Sequence, residues 1–187
     1  SGRREAFDDV LEKLKKMGLA YPCFCSRKDI QAALSAPHGS GTAIYPGTCR
    51  TLTAGEIHDR IAKGDAHAWR FHAEKAARIH GELSFRDLRC GVIRVDPAVN
   101  GDALLARKDI GTAYHLAVVV DDDFQGITHV TRGEDLLGAT HIHRQLQAVL
   151  GYREPLYLHH PLVRDEYGRR LAKRDAARSI RIFREQG

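Results

Sequence analysis

Three of the four cysteines fall between Tyr21 and Arg50, in a stretch that opens YPCFCS and closes IYPGTCR. A Cys-x-Cys pair such as Cys23 and Cys25 can aim both sulfurs at one ion without closing a disulfide on itself. A returning loop, here ending at Cys49, can then supply further ligands of a tetrahedral Zn²⁺ site. Three thiolates leave one place to fill, and His38 in SAPHGSG, Tyr45 four positions before Cys49, and water compete for it. On chemistry alone His38 is the stronger candidate, because imidazole binds zinc as the neutral ring. A phenol must first lose a proton of pKa about 10, which requires the ion's own charge to draw it down. The bland alternative is a cluster of buried thiols. A disulfide is disfavoured, since no stretch reads as a secretory leader and Cys90, in DLRCGV, has no assigned role.

The elements that must hold these groups are legible in part. Phe7, Val10, Leu11, Leu14 and Met17 recur at helical spacing, which predicts an amphipathic helix over 3–17, closed by Lys15, Lys16 and Gly18. Ser26 and Asp29 have the spacing of a capping box and predict a helix that ends before Pro37; Thr53 and Glu56 repeat the signal for a helix ending near Gly64. Alternation over 66–73 predicts a strand, 84–96 a turn with a following strand, and 103–109 and 127–133 further strands. Residues 112–124 are ambiguous, their valines favouring a strand and their length permitting a helix. A helix over 140–151, an extended run over 155–163, a basic loop RRLAKRD and a short closing helix from Ala177 complete the order. Helices alternating with strands predict an α/β layer fold.

Composition narrows the partners more than the chemistry. The 187 residues suffice for one substantial domain with a small metal-bearing appendage. LAVVV over 116–120 is the longest apolar run, far short of the roughly 20 residues a membrane span needs, so no membrane association is expected. A net charge of +5 favours a polyanionic partner such as nucleic acid. The eleven histidines are scattered, and most read as surface or core residues.

Three segments together carry a resemblance: AYHLAVVVDDDFQGITHVTRGEDLL over 113–137, YLHHPLV followed by RRLAKRD, and the CFC and IYPGTCR pair. They resemble the glutamyl-tRNA synthetase group of class I aminoacyl-tRNA synthetases, and within it the shortened paralogues that attach glutamate to queuosine in the anticodon loop of tRNA(Asp). The resemblance implies an incomplete Rossmann-like catalytic domain with a zinc-binding module at its side. It divides the chain into a helix of the catalytic body over 1–20, the zinc module over 21–65, and the rest of the body over 66–187.

The same resemblance implies the site. The family's zinc ligands fall on Cys23, Cys25, Tyr45 and Cys49, against the chemical preference for His38, and four protein ligands make the zinc structural. Tyr114 and Arg132 occupy the family's glutamate-binding positions, and the 113–124 segment becomes helical. RRLAKRD stands in the place of the KMSKS-like loop, so Lys173 is expected to contact ATP and stabilise the charge that develops during adenylate formation. Arg170 and Ala172 depart from that motif, the first keeping a charge and the second losing a hydroxyl. Implied substrates are L-glutamate, ATP with Mg²⁺, and tRNA(Asp) carrying queuosine, handled by a cytoplasmic monomer. The family's first strand and HIGH-like nucleotide motif lie upstream of a helix like that over 3–17, so this chain alone is expected to be impaired. Two alternatives stay open: part of a standard glutamyl-tRNA synthetase, and a non-catalytic zinc module that binds tRNA or protein.

Overall fold

The apolar stripe at the amino end folds as α1 (Gly2–Lys16), with Leu11 and Leu14 buried on its inner side. The computed structural model describes residues 2–34, 44–108, 111–164, 167–168 and 184. After α1 come β1 (Ala20–Cys23), α2 (Arg27–Leu34), α3 (Ala54–Ala62), β2 (Ala68–Phe71) and α4 (Ala73–His80). Then follow β3 (Ser84–Asp87), β4 (Gly91–Arg94), β5 (Leu104–Arg107), β6 (Gly111–Thr112), α5 (Tyr114–Phe124), β7 (His129–Gly133), α6 (Leu137–Leu150) and β8 (Leu156–His160).

Both capping signals are realised. The Asp29 amide donates to Ser26 Oγ at 3.2 Å while the Ser26 amide donates to the Asp29 carboxylate at 2.6 Å. Thr53 and Glu56 exchange the same pair of bonds at the start of α3. Each box satisfies amides that the first turn leaves without helical partners.

The strands form two sheets. One is antiparallel throughout, in the order β1-β2-β5-β6. The other runs β4-β3-β8-β7, with β8 parallel to both β3 and β7. Parallel neighbours need a crossover, and α6 provides it between β7 and β8. The main core lies where α1, α4, α5 and α6 cover the first sheet, around Leu14, Leu19, Phe71, Leu105, Leu116, Ile142 and Leu146. Phe85, Val95 and Tyr157 make a second, smaller core on the mixed sheet.

One reading changes, one left open is settled as the resemblance implies, and two elements are added. Residues 84–96 are a full hairpin, not a turn before one strand: Ser84–Asp87 pairs with Gly91–Arg94, and Gly91 at φ 82° makes the reversal that favours glycine. The 112–124 segment is helical, because Leu116, Val119 and Val120 share one buried helix face, and tertiary burial overrides the β preference of valine. Neither α4 nor β1 announces itself: α4 is short and follows directly on a strand, and β1 contains Pro22. The predicted basic loop and closing helix lie outside the described residues. Among those that are described, no helix is long and apolar enough to cross a membrane.

Candidate functional site

Arg132 stands near the end of β7, facing the start of α5 and the first turns of α6. Its Nε donates to His159 Nε2 at 3.0 Å, Nη1 to His143 Nδ1 at 3.1 Å and to Tyr114 Oη at 3.5 Å, and Nη2 to Thr140 Oγ1 at 2.5 Å. Four elements therefore converge on one guanidinium: β7 carries it, β8 brings His159, α6 brings Thr140 and His143, and α5 brings Tyr114. The Tyr114 contact is the longest, and its ring is 49% exposed. His115, next along α5, reaches His143 at 3.1 Å.

The hydrogen-bond pattern assigns the tautomers. His159 Nδ1 lies 2.7 Å from Asp87 Oδ2, and a carboxylate can only accept, so Nδ1 carries the proton and Nε2 accepts from Arg132. His143 Nδ1 likewise accepts from Arg132, which leaves its Nε2 to donate to His115 Nδ1. Neutral rings are what burial favours. Burial pushes His143 well below the usual histidine range, with Arg132 beside it adding to the effect, and burial pushes His115 down too. Burial also lowers His159, against the opposing pull of Asp87. Asp87 itself is brought down to about 2: burial acts to raise it, but His159 and the backbone N–H groups of Cys90, Arg89 and His159 outweigh that. All the described hydrogen-bond partners of Arg132 are thus uncharged acceptors. Although the Asp122 carboxylate feels its field, no hydrogen bond from the guanidinium to a carboxylate is seen among the described residues, which leaves the guanidinium able to pair with an anion.

The second cluster is made of sulfur. The Sγ atoms of Cys23, Cys25 and Cys49 lie within 4.8 Å of one another, and the three could hold a metal ion. Cys25 Sγ is 3.5 Å from Cys49 Sγ and 3.6 Å from Tyr45 Oη. Tetrahedral zinc with Zn–S near 2.3 Å and Zn–O near 2.0 Å would set about 3.8 Å between sulfurs and about 3.5 Å between sulfur and oxygen. Sequence neighbours build this geometry: β1 delivers Cys23, the strand exit delivers Cys25, and the 3-10 turn Thr48–Thr51 delivers Cys49. Gly47, at φ 81°, bends the chain so that Tyr45 folds back and accepts the Cys49 amide at 2.8 Å. A Cβ there would also meet the Arg50 guanidinium. Without a cation, burial pushes the Tyr45 phenol far up and takes Cys25 to about 11. Phe24 with Ile30 and Leu52 is nearly all the other apolar material in this cluster.

A polar strut ties that cluster to the body. Asp102, 3% exposed, accepts from Tyr21 Oη at 2.6 Å and the Ala73 amide at 3.1 Å, and pairs with Arg50 at 3.0 Å. Its carbonyl takes Arg70 Nη1 at 2.8 Å, and the Arg70 guanidinium lies 3.7 Å from the centre of the Tyr45 ring. A cavity of about 410 Å³ opens beside the strut, with Tyr45, Asp102, Tyr114 and His115 among the residues that line it.

The structure brings Tyr114 and Arg132 into one group and Cys23, Cys25, Tyr45 and Cys49 into another. Lys173 and His38 lie outside the described residues. No motif singles out Asp87, Thr140, His115, His143 or His159; His143 and His159 are core residues, as most histidines are expected to be, but with His115 they converge around Arg132. The helical pattern of α6 puts Thr140 and His143 on one face, three residues apart, the one local signal available.

The whole chain, residues 1–187, matches the family described as tRNA synthetases class I (E and Q), catalytic domain, and it belongs to that family. The Glutamyl-Q tRNA(Asp) synthetase of Rhodobacter capsulatus is 41% identical over 206 residues, covering 100% of this chain and 69% of that protein. Its namesake in Symbiobacterium thermophilum is 42% identical over 100% of this chain and 57% of that protein. In Nocardia farcinica the figures are 42%, 95% and 54%, so the chain spans little more than half the length of most of these relatives. Among solved structures, a glutamate tRNA ligase from Elizabethkingia meningosepticum in complex with its amino acid superposes with a TM-score of 0.76 at 25% identity. That match covers 94% of this chain and 36% of the ligase.

Proposed function

We propose that this chain supplies the amino-acid-holding and zinc-bearing parts of an ATP-dependent ligase that activates L-glutamate and transfers it to queuosine in the anticodon loop of tRNA(Asp). The observation that carries the reading is Arg132, a cation held by four neutral acceptors, with its weakest contact, to Tyr114, facing an exposed phenol. A substrate carboxylate can displace that 3.5 Å contact and take two parallel N–H bonds from the guanidinium. The relatives' names supply the acceptor. In this reading residues 1–20 and 66–187 are the catalytic body and 21–65 the zinc module.

Activation forms glutamyl-adenylate as the glutamate α-carboxylate displaces pyrophosphate from ATP, and a hydroxyl of the queuosine ring then attacks the activated carbonyl and releases AMP. Neither step needs covalent protein chemistry, so positioning and charge stabilisation carry the rate. Arg132 and Tyr114 orient the amino acid, and Lys173 acts on the phosphates of ATP, which enters with Mg²⁺. Cys23, Cys25, Tyr45 and Cys49 would hold one structural Zn²⁺, which supplies a rigid cross-link where the apolar core is too small to do so. The protein acts as a cytoplasmic monomer.

A second reading, 3′-end charging by an ordinary glutamate ligase, draws on the likeness to the Elizabethkingia structures. Glutamate-dependent exchange of pyrophosphate into ATP, followed by charging of tRNA(Asp) with and without queuosine, separates the possibilities. The proposal expects exchange, and charging only of the modified tRNA. Lack of exchange in the full-length protein would reject the ligase, and equal charging of both tRNAs would reject the queuosine specificity.

A further inference from the structure

Asp87 and His159 are deeply buried, at 1% and 0% exposed, and neither can touch a substrate. Both oxygens of the Asp87 carboxylate are engaged: Oδ1 accepts the Arg89 and Cys90 amides at 2.9 and 2.8 Å, and Oδ2 accepts the His159 amide at 3.0 Å and its Nδ1 at 2.7 Å. With four donors converging on it the group is held as a carboxylate, so the proton between Oδ2 and Nδ1 belongs to the ring. A neutral imidazole with Nδ1–H has its one lone pair at Nε2, and that lone pair meets Arg132 Nε–H at 3.0 Å. The opposite tautomer would set N–H against N–H there. Thr140 Oγ1 also lies 3.1 Å from the same Nε2, and it accepts Arg132 Nη2.

We propose that Asp87 and His159 are positioning residues: the carboxylate fixes the Nδ1–H tautomer of His159, and His159 Nε2 thereby sets the plane in which Arg132 presents its guanidinium to the substrate carboxylate. This rests on the reading of Arg132 as the glutamate contact. Arg132 has four rotatable side-chain bonds, and a bidentate contact is directional, so a fixed Nε is what converts a mobile charge into a selective one. The two residues are 72 positions apart and meet because β3 lies parallel to β8, with Asp87 opposite Tyr157. The arrangement is the second layer that orients a ligand-binding side chain, as carboxylates orient histidines elsewhere.

The test uses the full-length protein and two readouts. Imidazole ¹⁵N NMR should report Nδ1–H for His159 in the wild type and Nε2–H in Asp87→Asn, whose amide would donate to Nδ1. Calorimetric titration with L-glutamate should show affinity falling about tenfold in Asp87→Asn, the scale of one lost charge-assisted hydrogen bond. Where Asp87→Asn does not fold, His159→Gln and His159→Leu carry the test: Gln keeps an acceptor for Arg132 and should retain binding within about threefold, while Leu should lose about tenfold. An Nε2–H wild-type ring, a folded Asp87→Asn with wild-type affinity, or equal losses in Gln and Leu would overturn the proposal. A wild type with the Nδ1–H ring that does not bind glutamate would instead reject the substrate.

Discussion

Arg132 makes its contacts through the fork of a guanidinium, and a lysine has one point charge on a longer, freer stem. Arg132→Lys keeps the charge but cannot meet His159, His143 and Thr140 together, so glutamate affinity should fall by about 2 kcal/mol, roughly 30-fold. Tyr114→Phe removes only a 3.5 Å contact from a half-exposed ring and should cost a few-fold. Equilibrium titration checks both, and a lysine variant that binds like the wild type would show that charge alone suffices. At this scale legibility follows sequence distance. The three cysteines announce themselves because their ligand spacing is local, whereas Tyr45 enters only through the resemblance, since chemistry alone prefers His38. Asp87 and His159 do not, because a strand carboxylate and a strand histidine 72 residues apart carry no joint pattern until β3 and β8 are paired.

The segment around the sulfur cluster has little apolar core of its own. Its buried set is Cys23, Phe24, Tyr45 and Cys49, so the groups proposed to grip zinc are also most of its interior. Cys49→Ser should therefore do two things at once: release the metal, read by elemental analysis, and raise amide exchange across 21–34 and 44–52. Unchanged zinc content in that variant would reject the site. Asp102 is the other end of the coupling. Removing its carboxylate leaves the half-buried Tyr21 hydroxyl and the buried Ala73 amide without their acceptor while Arg50 keeps Glu74, and Asp102→Ala should destabilise the protein by about 2 kcal/mol in chemical denaturation. Capping boxes made α2 and α3 readable because the signal lies within one turn. The helix α5 was unreadable from its own residues, since valine spacing alone does not say whether a helix or a strand will cover it; the contacts with α1 and α6 decide.

At the level of the whole molecule, burial of histidine sets the pH dependence of stability. His72, His115, His141, His143 and His159 are all held below their ordinary value, each chiefly by burial. In the unfolded chain these rings take up protons near pH 6.5, while in the fold they resist. Below that pH the unfolded state binds more protons, so stability must fall as the solution is acidified. Asp87 adds a later stage with the same sign. Its folded value of about 2 lies below the unfolded 3.8, a contribution of about 2 kcal/mol that is present above pH 4 and lost as pH falls through 2. Asp122, raised by burial, opposes this weakly between the two stages. Scanning calorimetry with chelator present, so that proton competition at the sulfurs does not contribute, should show Tm rising steadily from pH 5 to pH 7. His143→Gln should flatten part of that slope, because its ring is the one pushed down furthest. A Tm that falls from pH 5 to pH 7 would mean that the rings around Arg132 are protonated in the fold, and a level one that they titrate there as they do in the unfolded chain; either result would remove the tautomer pattern built on neutral imidazoles.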